Sequence, residues 1–130
     1  MSSHVKSRWH APLPQCSLPY FVFGPPQKRL SKEKILIDAE RPERALSLDE
    51  YRRLSRRLAV GLLRLGLQPE DRVVCFSRNE LCYPALLMGT IMAGGILTPA
   101  NPAYNAHELG HLMQYVEARV LFTNRHLLPT

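Results

Sequence analysis

The chain has 130 residues and a net charge of +6, with 45% apolar and 22% charged side chains. That length supports one domain with a modest core, and the composition is that of a folded globular protein rather than a disordered one. The basic excess lies in residues 1–34, where Lys6, Arg8, Lys28, Arg29, Lys32 and Lys34 stand against Glu33 alone, while residues 71–130 balance their charges.

A nucleic-acid binder carries its basic face on the folded part. Here the folded part is near neutral, so no nucleic-acid partner is expected. Cys16, Cys75 and Cys82 are odd in number and form no CxxC. They predict no disulfide framework and an intracellular setting, cytoplasmic or peroxisomal. The opening MSSHVKSRWHAPLP lacks the apolar core of a secretory signal. The most apolar stretch, residues 85–97, falls short of the roughly 18 residues of a membrane span, so no transmembrane segment is expected.

In chain order, residues 1–34 read as irregular, because Pro12, Pro14, Pro19, Pro25 and Pro26 interrupt them. Tyr20–Phe23 read as a packing patch. Ile35–Asp38 is a strand candidate. A helix follows over 46–65. Ser47 is its N-cap, Glu50 completes a capping box, and Tyr51, Leu54, Leu58, Leu62 and Leu65 form one stripe. Arg52, Arg53, Arg56 and Arg57 lie off that stripe and read as a solvated face, with Asp49 placed to pair with Arg53. Gly66 caps the end and Pro69 prevents continuation.

Residues 72–77 read as a strand buried on both faces. Asn79 is placed to cap a helix running to Ala93, apolar all round and therefore covered all round in a complete fold. In the isolated chain its cover is expected to be lacking. Residues 96–98 form the next strand, Asn101-Pro102 a turn, 106–116 a third helix and 120–122 a last strand. This alternation predicts an α/β fold with a mostly parallel sheet of βαβ units over 35–130.

The stretches LSLDEYRRLSRRLAVGLLRLGLQPEDRVVCFSRN and LLMGTIMAGGILTPANPAYNAHELGHLMQYVEARVLFT resemble the N-terminal portion of AMP-forming acyl-CoA synthetases. The wording is most similar to the 4-coumarate–CoA ligase-like branch of that superfamily. The resemblance implies part of a large adenylate-forming domain, completed by the remainder of the ligase. It implies a two-step reaction in the full enzyme. A carboxylate attacks the α-phosphate of ATP to give an acyl adenylate, and coenzyme A then displaces AMP. Mg2+ and a lysine would steady the charges. The family's Ser/Thr/Gly-rich phosphate loop followed by Pro-Lys does not occur in these residues, and Gly94-Gly95 lie at a helix–strand junction without a lysine nearby. No catalytic, cofactor-binding or metal-ligating residue is therefore assigned, and the chain alone is expected to be inactive.

Two other readings stand beside this one. A noncatalytic α/β module that binds a partner has the same sequence pattern. His107-Glu108-Leu109-Gly110-His111 is a literal HExxH, which on a helix presents two zinc ligands and a general base. Gln114 and Glu117 stand where one branch of such enzymes has glycine and a third ligand. A third ligand is thus not evident, and the histidines read as incidental. Cys75 and Cys82 read as small buried apolar residues, and Asn101 as a turn residue.

Overall fold

The structure, a computed structural model, describes residues 8–9 and 11–127. The opening MSSHVKSRWHAPLP lies mostly outside these residues. A short helix, α1 (Leu18–Phe23), runs within the proline-rich stretch that was expected to be irregular. Ser17 caps it, and Pro19 occupies its first turn, where a missing N–H costs nothing. Phe23 is buried and meets Tyr51 edge to face, with ring centroids 5.0 Å apart.

Strands β1 (Lys34–Ile37) and β2 (Ala45–Ser47) pair antiparallel as a separate two-stranded sheet. The expectation that β1 opens the parallel sheet is thereby corrected. The connection between β1 and β2 is too short for a parallel crossover, which takes a dozen or more residues. Asp38 tightens the turn by accepting the backbone N–H groups of Glu40 and Arg41, each at 3.1 Å.

Helix α2 (Leu48–Arg64) starts from the expected capping box. Glu50 accepts the Ser47 N–H at 2.7 Å, and the Ser47 hydroxyl accepts the Glu50 N–H at 3.2 Å. Tyr51 and Leu62 are buried and Leu54 and Leu58 half-buried, as the stripe predicts. Leu65 departs from it: the helix ends at Arg64, and Leu65 is 69% exposed at the cap. Arg53 pairs with Asp49 at 3.3 Å as expected. Arg52 does not belong to a solvated face. It is buried, with its guanidinium on the carbonyls of Pro26 and Lys28 and on Asp49.

The main sheet holds β3 (Arg72–Phe76), β4 (Ile96–Ala100) and β5 (Ala118–Thr123) in the order β4-β3-β5, all parallel. As expected, the central strand is buried on both faces, with Val73, Val74 and Cys75 essentially inaccessible.

Helix α3 (Tyr83–Met92) begins later than expected. Asn79 does not cap it. Cys82 stands at the cap without a side-chain bond to the helix N–H groups, and the helix starts there because Pro84 is tolerated only in the first turn. No residue of α3 is exposed, although Ile96 at the end of the same apolar stretch is 47% exposed. The cover comes from close approach of α2. A Cβ at Gly89 would lie 2.8 Å from both the Leu58 Cβ and the Ser55 carbonyl oxygen. Helix α4 (Ala106–Tyr115) lies across the other face, where Leu109, Leu112, Met113 and Val116 pack on Val74, Phe76 and Ala100.

Candidate functional site

The carboxyl ends of β3 and β5 open into a cleft of about 860 Å3, roofed by the β1–β2 hairpin. Ser77 and Arg78 leave β3 and Asn124 leaves β5, so parallel pairing brings two distant loops together. The Asn124 amide donates to the Ser77 hydroxyl at 3.2 Å and to the Glu80 carboxylate. That amide clamps both loops at one end of the cleft. Ile35, Ile37, Asp38, Arg41 and Arg44 supply the opposite wall, with His126 beside Arg78 and Asn79 among the remaining lining.

The wall charges are partly committed. The backbone N–H of Arg41, helped by that of Glu40 and by the Arg44 cation, lowers the Asp38 pKa from its ordinary value. Arg44 stands 3.4 Å from Asp38. Carboxyl ends of parallel strands are where open α/β sheets receive ligands. The chemistry on offer is recognition by arginine, imidazole and amide groups. Nucleophilic work is not prepared nearby: burial pushes the Cys75 thiol up to about 11, and burial with the neighbouring Glu80 raises Cys82. Sequence reasoning singled out none of Ser77, Arg78, Glu80, Asn124 and His126. The available signal was their position just after two strands of a βαβ series.

The HExxH motif takes a different role. Asn105 caps α4, with its side chain accepting the Glu108 N–H at 3.0 Å. The Glu108 carboxylate accepts the Asn105 N–H at 2.8 Å. Glu108 thus closes a capping box instead of standing as a base. His107 and His111 are exposed, and Glu117 lies beyond the helix, 3.7 Å from Arg72. Among the described residues no group of three His, Cys, Asp or Glu side chains could hold a metal ion. His111 and Glu108 border only a shallow hollow of about 340 Å3 with Tyr104, Leu112 and Tyr115.

Residues 27–130 match the family model described as AMP-binding enzyme. The chain belongs to the AMP-binding enzyme family. A nicotinic acid-CoA ligase of Penicillium canescens is 36% identical over 103 residues, covering 79% of this chain and 19% of that protein. The anthranilate CoA ligase solved with anthranoyl-AMP superimposes with a TM-score of 0.78 at 17% identity, covering 90% of this chain and 22% of the other. ATP-bound MatB from Rhodopseudomonas palustris gives a TM-score of 0.68 at 28% identity, over 80% of this chain and 20% of that one. The chain thus spans about a fifth of the length of these relatives.

The glycine pair of the described residues does not fit the phosphates of a nucleotide. A phosphate cradle needs glycines whose N–H groups face open space. At Gly95 a Cβ would meet the Leu67 Cδ2 at 2.9 Å, the Asp71 carbonyl oxygen at 3.1 Å and the Thr90 Cγ2 at 3.1 Å, so that space is filled. Gly94 adopts a φ of 81° and its carbonyl accepts the Glu70 N–H at 2.8 Å. The glycine pair is a packed turn between α3 and β4. No helix among the described residues is long and apolar enough to cross a membrane.

Proposed function

We propose that the chain supplies the N-terminal part of the large domain of an ATP-dependent, AMP-forming carboxylate–CoA ligase, with residues 35–130 as its α/β portion. The complete enzyme would join a carboxylic acid to coenzyme A through an acyl adenylate, using Mg2+. The observation that carries this reading is the family match over residues 27–130 on a three-stranded parallel sheet. The acid–CoA ligations printed for the nicotinic acid and anthranilate ligases support it. We expect the chain by itself to bind no nucleotide productively, since the space at its glycine turn is filled by Leu67, Asp71 and Thr90. Three unpaired cysteines support an intracellular setting, the cytoplasm or a peroxisome.

Two measurements test the proposal. Genomic sequence read past the Thr130 codon is expected to contain an in-frame Ser/Thr/Gly-rich stretch followed by Pro-Lys. A stop codon with no such coding sequence downstream overturns the ligase assignment. The purified chain, given ATP, Mg2+, coenzyme A and a panel of aromatic and aliphatic acids, is expected to release no AMP above background. Acid-dependent AMP release would overturn its inactivity alone.

A further inference from the structure

We propose that α1, the loop after it and the arginine-bearing side of α2 form one surface that docks on an anionic lipid bilayer. This inference does not rest on the ligase reading. It begins with placement. The buried Arg52 guanidinium donates to the carbonyls of Lys28 at 2.8 Å and Pro26 at 3.4 Å, which pins the loop against α2. The Lys28 stem lies over Gly24 at the end of α1, where an added Cβ would come within 2.7 Å of its Cδ. Arg56 is one helical turn beyond Arg52. Lys28 and Arg29 therefore sit between the exposed side of α1 and the exposed arginines of α2.

The charge of this surface is uncommitted. The ion pairs of the described residues engage Lys34, Arg44, Arg52, Arg53 and Arg72. Lys28, Arg29, Lys32 and Arg56 are exposed and belong to none of them. Beside them α1 presents Phe21 at 63%, Tyr20 at 51% and Leu18 at 47% exposure, while Phe23 anchors the same helix in the core at 1%. Wet apolar side chains held next to free cations match a membrane interface, where the apolar groups enter the acyl boundary and the cations meet anionic headgroups. A single strand of nucleic acid also accepts cations and aromatic rings. Leu18 favours lipid, because an aliphatic side chain offers no stacking face but inserts among acyl chains.

The test is flotation of the full chain with phosphatidylcholine vesicles, with and without phosphatidylserine, at low and high salt. Binding is expected only with phosphatidylserine and is weakened at least about tenfold by high salt. Lys28→Glu with Arg29→Glu is expected to weaken it by about twentyfold or more, and Phe21→Ser by about tenfold. A thermal melt matching the parent shows that each variant folds. Where the first pair does not fold, Lys32→Glu with Arg56→Glu carries the same expectation. Equal binding to neutral vesicles, no binding to either, unchanged binding by the charge variants, or displacement of vesicles by a short single-stranded oligonucleotide would each overturn the proposal.

Discussion

On one face of the parallel sheet, Val73, Leu97 and Val120 meet α2 and the end of α3, where Ala59, Leu62 and Ala93 are buried. On the other, Val74, Phe76 and Leu121 meet α4, none of whose residues is buried. Both faces start from equally apolar strand residues, so the sheet does not make the difference. The covering helices do. Helix α3 is apolar on nearly every side and is wrapped in turn by α2 and α1, whereas α4 has one apolar stripe and water beyond it. Local opening follows buried contact, so the α4 face is the softer of the two. Amide hydrogen exchange is expected to reach α4 well before α2 and α3, and equal protection would dissolve the comparison.

Substitutions sharpen it. Phe23→Ala removes the ring that seals α1 against Tyr51 and is expected to cost about 3–4 kcal/mol in denaturant melts. Leu112→Ala on α4 deletes as apolar a side chain from a half-buried site, and about 1 kcal/mol is expected there. Costs in the reverse order would contradict the assignment of the harder face. Gly89→Val should lose about 2 kcal/mol, because its Cβ meets the Ser55 carbonyl and α2 must shift. Asn105→Ala, which removes the α4 cap, should cost about 1 kcal/mol and speed exchange in α4 alone.

The smallest effect concerns pH. The Lys34 ammonium, with the Ser47 N–H and hydroxyl, holds the Glu50 carboxyl at about 2, down from an ordinary 4.5. A depressed native value stabilises the fold fully above the unfolded value and loses that stabilisation as pH falls through the native one. Glu50→Gln is therefore expected to melt slightly lower than the parent at neutral pH. The gap should narrow as pH falls from 4.5 toward 2. A gap that widens on acidification would refute the role given to Lys34.

Much of the fold was legible where one residue type had one job. Ser47 and Glu50 announced α2, and the strand–helix alternation from 72 onward announced the parallel sheet. Legibility failed where residues had two. Ser47 closes β2 as well as capping α2, which hid the hairpin. Pro19 read as a breaker because its tolerance in a first turn depends on Ser17 capping there. Asn79 looked like a cap, but the position of Pro84 moved the helix start. Arg52 carries a surface residue's charge and a core residue's hydrogen bonds. The strand-end cleft was invisible for another reason: Ser77 and Asn124 touch only because β3 and β5 pair, and no local pattern records that pairing.

The order β4-β3-β5 also has a history in time. Arg72 pairs with Ile96 on one side and with Ala118 on the other. As the chain leaves the ribosome, the first pairing is possible while residues 118–123 have yet to emerge. The most apolar strand then waits with one edge unpaired, and nascent chains are most prone to wrong association in that interval. The emergence of α4 and β5 therefore sets how long β3 stays half paired.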